Sequence, residues 1–84
     1  MKERLISEYV NRLTLNDVNT FALNNGIGLD NNELNLIYNY IKTDWHTIVY
    51  GNPRFILDDL KSKLDYTSYQ KIESLYVYFK NRYL

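Results

Sequence analysis

Apolar residues recur every three or four positions through most of this 84-residue chain, and short polar or glycine-containing segments separate the runs. This spacing places the apolar residues of each run on one face of an α-helix. Residues 47–50 include three β-branched side chains that also suit a strand, but a lone strand would have no partner here. The pattern therefore predicts an all-α fold, a compact bundle of four to five short helices in one domain of residues 1–84.

Capping residues divide the runs into separate elements. Thr14 stands three residues before Asp17, and Asp30 stands three residues before Glu33, which are capping-box spacings. Gly26 follows the first of these helices, in a position where glycine adopts the left-handed conformation at little cost. The predicted helices cover residues 2–12, 15–25, 30–42, 53–64 and 67–83, and a short helical segment covers residues 45–50. Further capping signals are Asp44, Asn52 and the pair Thr67 and Gln70.

The helical spacing also predicts which side chains are buried. The predicted core positions are Leu5, Ile6, Tyr9, Val10, Leu13, Leu15, Val18, Phe21, Ala22, Leu34, Ile37, Tyr38, Ile41, Ile56, Leu57, Leu60, Leu64, Ile72, Leu75, Tyr76 and Phe79. A chain of this length can bury somewhat over ~60% of its unfolded surface, which is enough for independent folding.

Composition excludes several classes of site and gives an expectation for the compartment. The chain has no cysteine, so disulfides, thiolate metal sites and cysteine nucleophiles are excluded. No apolar run approaches the roughly 18 residues that a membrane-spanning helix needs. The N-terminal residues 1–4 include an acid and lead into an amphipathic segment, which is unlike a signal peptide. We therefore expect a bacterial-type cytoplasmic protein.

Residues with catalytic or metal-binding side chains are not arranged in any recognisable motif. The single histidine, His46, would need a nucleophile or a carboxylate brought close by the fold, and the sequence carries no nucleophile motif. One histidine with scattered acids lacks the ligand spacing of zinc or calcium sites. The segment Gly26-Ile27-Gly28 is not a phosphate loop, since no strand precedes it. The sequence predicts a non-enzymatic protein without cofactor or metal.

Two aromatic segments are the candidate partner-binding surfaces. The chain has nine tyrosines, and Tyr69, Tyr76 and Tyr83 are spaced by seven, so they lie near one stripe of the last helix. This stripe either widens the core or forms, with the edge of Tyr78, a docking face for a partner helix or a second copy of the chain. An AT-rich genome, whose codons favour tyrosine, is the alternative explanation for the high tyrosine content. The second candidate segment comprises Trp45, His46, Tyr50, Asn52 and Arg54, where side chains typical of binding hot spots cluster in sequence.

The charged residues suggest an alternative hypothesis for the function. The ten basic and ten acidic residues give zero formal net charge, whereas nucleic-acid-binding proteins usually have a strong positive excess. Basic residues of the last two helices could nevertheless converge on one face, and these are Lys61, Lys63, Lys71, Lys80 and Arg82. The leading hypothesis is a protein-interaction module that binds another protein or itself, and the alternative is a nucleic-acid-binding accessory protein.

The order of elements resembles a small family of uncharacterised Bacillales proteins, the domain-of-unknown-function group that includes the YqfT proteins. The resemblance depends on residues 15–41, a capped helix followed by a turn and an Asp30-initiated helix, and on residues 71–84. Residues 45–53 do not match. The resemblance implies a cytoplasmic helical protein from a family with no assigned activity, and it provides no functional residue.

Overall fold

The computed structural model describes residues 2–83 of the chain, with side chains for residues 2–82. Within this range the chain forms α1 (Lys2–Arg12), α2 (Leu15–Asn24), α3 (Asn31–Tyr50), α4 (Arg54–Lys63) and α5 (Tyr66–Tyr83). α3 is the central element, because α1, α2 and α4 all pack against it, and α5 packs against α4. The predicted all-α helical bundle is confirmed.

Two capping boxes begin α2 and α3, as the sequence predicts. Thr14 Oγ1 accepts the backbone N–H of Asp17 at 3.1 Å, and Asp17 Oδ2 accepts that of Thr14 at 3.0 Å. Asp30 and Glu33 form the same pair of bonds at 2.8 and 2.9 Å. These bonds satisfy N–H groups that have no partner within the helix, so the capping side chains determine where each helix begins.

The turn between α2 and α3 depends on Gly26. Its φ of 73° lies in the left-handed region, where a side chain would be strained, and this confirms the predicted end of the helix. Lys71 Nζ of α5 donates to the Gly26 carbonyl at 2.7 Å, and the neighbouring Ile27 is buried. The turn therefore also connects the end of α2 to α5.

α3 continues through the point where the sequence predicts a break after Lys42. At Asp44 the backbone has φ −122° and ψ 19°, which is outside the helical region, and the helix is kinked there. The hydroxyl of Thr43 lies 2.7 Å from the Asn39 carbonyl and 2.9 Å from the Asp44 carboxylate. Side-chain bonds of this kind compete with the helical backbone bonds and bend helices. The separate helices predicted over 30–42 and 45–50 are therefore one kinked helix.

α5 begins one residue earlier than the predicted range 67–83. Asp65 Oδ2 accepts the backbone N–H of Ser68 at 3.0 Å, so Asp65 and not Thr67 caps the helix. The bond from the Ser68 backbone N–H, followed by one from its hydroxyl, lowers the pKa of Asp65 below its usual value. The predicted pairing of Thr67 with Gln70 is wrong, because a carboxylate competes better than a hydroxyl for an unpaired N–H group.

The main core cluster joins α4 to the start of α5. Ile56, Leu60, Leu64 and Tyr69 are buried together, and partly buried residues surround them. The surrounding residues are Leu29, Leu36, Ile37, Tyr40, Ile48, Leu57 and Ile72. The predicted burial of Ile56, Leu60 and Leu64 is confirmed, and the predicted core residue Leu57 is partly buried against them.

Four large apolar side chains that the helical pattern assigns to the core lie on the surface. Leu5 and Tyr9 of α1 are 66% and 67% exposed, while Phe21 and Phe79 are 48% and 39% exposed. Val10 of α1 is buried, so only one edge of the apolar face of that helix meets the core. The reason is topological, since α1 packs mainly against α3 and its remaining apolar side chains face outward.

No helix within residues 2–83 combines the length and the apolar character that crossing a membrane would require.

Candidate functional site

An apolar groove lies where α1, α2, α3 and α5 meet, and it is the surface feature most suited to binding. Its volume is about 410 Å³. Its lining consists of Tyr9, Leu13, Asp17, Val18, Phe21, Ile41 and Phe79, which we call the groove residues. Asp17 is the charged side chain in this set, and the other six are apolar or aromatic.

A narrower pocket of about 170 Å³ continues from the groove into the bundle. Val18, Phe21, Ile41 and Phe79 line both the groove and the pocket. The additional lining residues of the pocket are Ala22, Ile27, Leu29, Ile37, Ile72 and Leu75. The apolar surface therefore extends from solvent down to the buried side of α2.

Phe21 and Phe79 form the rim of the groove between α2 and α5. Their ring centroids are 6.2 Å apart with an interplanar angle of 39°, a separation typical of aromatic pairs. Both rings remain substantially exposed. Exposed aromatic side chains beside an apolar depression are a common feature of protein-binding surfaces.

Sequence reasoning missed this groove. The helical spacing identifies Tyr9, Phe21 and Phe79 as apolar-face residues but assigns them to the core, because a single helix does not show which edge of its apolar face another helix covers. The one signal was the width of the apolar face of α1, because this short helix carries four predicted core positions.

The predicted tyrosine stripe is not a continuous surface. Tyr69 is 4% exposed and belongs to the main core cluster, and its hydroxyl donates to Glu73 Oε2 at 2.9 Å. Burial, followed by this bond, raises the pKa of Tyr69 above its usual value. The prediction that Tyr69 docks a partner is therefore wrong, and the core alternative holds at this position.

The other predicted tyrosines of α5 have different surroundings. Tyr76 is partly buried, and Lys80 Nζ lies 5.8 Å from its ring centroid. Tyr78 is 53% exposed and contacts the Phe79 ring at 5.6 Å, so it lies beside the rim of the groove. The side chain of Tyr83 lies outside the described residues.

The second predicted segment is divided between two places. The rings of Trp45, His46 and Tyr50 form an aromatic cluster with centroid separations of 5.1 to 6.5 Å. His46 Nε2 is 2.9 Å from Glu3 Oε1, which joins this cluster to the start of α1. Trp45 is partly buried and the other two rings are exposed.

Asn52 and Arg54 lie in a different place, beside Tyr76 and Lys80. These four side chains line a small depression of about 210 Å³ at the start of α4. The structure therefore brings residues of the two predicted surfaces together, but in a combination that their sequence spacing does not indicate. Arg54 also lies 4.0 Å from Asp58 of its own helix.

The basic residues of the last two helices do not form one face. Lys71 and Lys80 are nine residues apart on α5, and at roughly 100° per residue they point in opposite directions. Lys63 forms an ion pair with Asp59 at 2.9 Å, and the Lys71 ammonium is bonded to the Gly26 carbonyl. The side chains therefore point in several directions, and two of them already bind acceptors in this chain.

The strongest perturbation of a titratable group occurs between α3 and α4. Tyr40 donates its hydroxyl proton to Asp59 Oδ2 at 2.5 Å, and this bond, with burial as the second cause, raises the pKa of Tyr40 to about 12. The same bond, together with Lys63, lowers the pKa of Asp59. The contact joins two core helices, α3 and α4. Among the residues that the structure describes, no group of three or more acids and histidines could hold a metal ion.

Comparison of the chain with protein-family models, curated proteins and solved structures gave no match. The resemblance to the Bacillales family therefore stays a prediction.

Proposed function

We propose that this chain is a non-enzymatic, cytoplasmic protein-interaction module that binds an amphipathic helix of a partner in the groove. The observation that supports this is the apolar groove with Tyr9, Phe21 and Phe79 exposed around it. An amphipathic helix in an apolar groove is a common recognition mode, in which side chains at spacings of three and four fill the depression. The Asp17 carboxylate at the edge favours a helix whose apolar row has basic neighbours.

A capture experiment with matched variants tests the proposal. Tagged wild type, Phe21→Gln and Leu23→Gln are used on native cytoplasmic extract, in nuclease-treated and untreated halves. Leu23 is on the same helix as Phe21 and is 59% exposed, but it does not line the groove. We expect a protein partner that survives nuclease, binds wild type and Leu23→Gln alike, and is lost from Phe21→Gln.

The captured protein then supplies a direct test. A peptide with its most amphipathic helix is titrated into the isotope-labelled 10.1-kDa chain, and amide chemical shifts are followed by NMR. Shifts centred on the groove residues support the proposal. A partner that binds Phe21→Gln as strongly as wild type, or shifts confined to α4, would contradict it.

The nucleic-acid alternative has less support, because the basic side chains of α4 and α5 point in several directions. It predicts partners that vanish after nuclease treatment and a binding affinity that falls steeply as salt rises. A labelled duplex and a labelled single strand are titrated at 50 and 200 mM salt to separate this alternative from the groove proposal. Between these concentrations, a protein that makes many phosphate contacts loses roughly three to five decades of binding affinity.

A further inference from the structure

α1 presents a second apolar feature next to the groove. Leu5 and Tyr9 are one helical turn apart, so they lie on the same side of α1, and both are about two-thirds exposed at 66% and 67%. We call this pair the ridge. Lys2, Glu8 and Arg12 are each three residues from one of them and flank the ridge on the same helix. Glu8 forms an ion pair with Arg4 at 3.4 Å, so the ridge is an apolar row with a net basic surround, which is the chemistry that the groove favours.

The ridge and the groove are neighbours on one molecule, since Tyr9 belongs to both. A surface that carries a projecting row beside a matching depression is self-complementary under a two-fold axis, because each copy then offers its row to the depression of the other. We propose that a second copy of this chain occupies the groove, with Leu5 and Tyr9 of each copy packed against Phe21 and Phe79 of the other. This inference rests on the proposed function, since it names the partner.

Charge supports this occupant. The ridge is flanked by Lys2 and Arg12 and by Glu8, whose carboxylate is already paired with Arg4, while Asp17 is the charged side chain among the groove residues. The two contacts related by the two-fold axis would thus each bring a cation toward a carboxylate. The zero formal net charge of the chain means that two copies approach without overall repulsion.

The exposed area indicates how strong such a dimer is. Large side chains bury roughly 150–250 Å² each, so the exposed fractions of Leu5, Tyr9, Phe21 and Phe79 amount to roughly 330–550 Å² per copy. Both copies together would bury roughly 660–1,100 Å² of this surface, which is below the ~1,600 Å² of standard stable interfaces. We therefore expect a weak, reversible dimer with a dissociation constant between roughly 10 μM and 1 mM.

Sedimentation velocity of the purified full chain, over a concentration series that brackets this range, tests the inference. The ridge variants Leu5→Gln and Tyr9→Gln are compared with Leu23→Gln and Tyr66→Gln, whose original side chains are 59% and 67% exposed outside the groove. We expect the ridge variants to raise the dissociation constant at least about tenfold and the controls to leave it within roughly twofold. All four original side chains are mostly exposed, so circular dichroism should show an unchanged fold.

A crosslinking measurement tests the geometry independently. The chain has no cysteine, so a Leu5→Cys chain and a Phe21→Cys chain can be mixed and treated with a short bismaleimide. The heterodimer between the two chains should form faster than the heterodimer between Leu5→Cys and Leu23→Cys chains. Equal crosslinking of both mixtures would overturn the proposed docking.

The outcomes separate this inference from the proposed function. A wild-type chain that is monomeric throughout the series, or a dimer that the ridge variants do not weaken, overturns the inference. The groove function still stands in either case if Phe21→Gln loses a captured partner of different sequence. It fails if Phe21→Gln binds the captured partner as strongly as wild type does.

Discussion

The tyrosines show how strongly the surroundings of one residue type differ within this chain. Tyr69 is buried in the main core, Tyr40 joins α3 to α4 through Asp59, and Tyr78 is largely exposed beside the groove. Their sequence neighbourhoods are all helical and amphipathic, so none of these roles follows from local spacing. At this scale the partner of the hydroxyl group and the degree of burial decide whether a tyrosine contributes to stability.

Tyr40→Phe tests the contact between α3 and α4. The pKa of about 12 exceeds the ordinary value of 10.0, so the folded protein holds this proton more tightly than the unfolded chain. The stabilisation is fully present below pH 10 and is lost as the pH rises toward 12. We expect Tyr40→Phe to lower the free energy of unfolding at pH 7 by about 1 kcal/mol, and to lose less stability than wild type at alkaline pH.

Urea denaturation followed by circular dichroism at pH 7 and at several values between 10 and 12 measures this difference. Tyr78→Phe is the control, because Tyr78 is 53% exposed and its ring contacts Phe79 of its own helix. If the stability of Tyr40→Phe and wild type declines in parallel with pH, the bond to Asp59 does not control this titration.

α1 packs mainly against α3, and its C-terminal end depends on a polar contact with that helix. Lys42 Nζ of α3 donates to the carbonyl oxygens of Val10, Asn11 and Leu13 at 2.8, 3.2 and 3.1 Å. The last carbonyls of a helix have no partner within it, and a cation there also compensates the helix dipole. Lys42, together with the Tyr38 hydroxyl that donates to the Leu13 carbonyl at 3.4 Å, therefore holds the C-terminal end of α1 against α3.

Lys42→Met keeps most of the side-chain length and removes these three bonds. We expect a loss of about 1–2 kcal/mol and a faster exchange of the α1 amides, with little change for the amides of α4. Hydrogen exchange followed by NMR resolves the two helices. Lys61→Met is the control, since Lys61 is exposed on α4, and uniform acceleration across all helices would show that the contact has no local role.

The molecule as a whole is unevenly packed. Its most buried cluster lies between α4 and the start of α5, against α3, whereas α1, α2 and the second half of α5 leave apolar side chains exposed. We expect the part with the densest core to carry most of the stability, and the part with the exposed groove is the one proposed to bind. Binding at the groove can therefore be weakened by substitution without unfolding the protein.

Leu60→Ala tests where the stability of the whole molecule lies. Leu60 is 5% exposed in the main cluster, so its truncation leaves a cavity, and we expect a loss of about 2–4 kcal/mol. The matched variant Leu23→Ala removes a side chain that is 59% exposed and should stay within about 0.5 kcal/mol of wild type. Thermal and urea unfolding measure both, and equal losses would mean that the cluster does not dominate the core.

The all-α class, the starts of α2 and α3 and the turn at Gly26 follow from the sequence alone. Each depends on residues within about four positions of one another, as in the two capping boxes, and such local interactions are visible in a linear pattern. The sequence also predicts that the helical conformation is interrupted near Asp44, and the structure has a kink there. It does not show that the helix continues past this residue, because a kink within one helix and a turn between two helices have similar local signals.

Only the tertiary structure decided which edge of each apolar face is covered. Tyr69 is buried while Tyr9 and Phe21 are exposed, although all three lie on apolar helix faces. The groove likewise joins α1, α2, α3 and α5, and the contact between His46 and Glu3 links residues 43 positions apart. These features depend on how whole helices pack against one another, and helical periodicity identifies an apolar face without specifying what will lie against it.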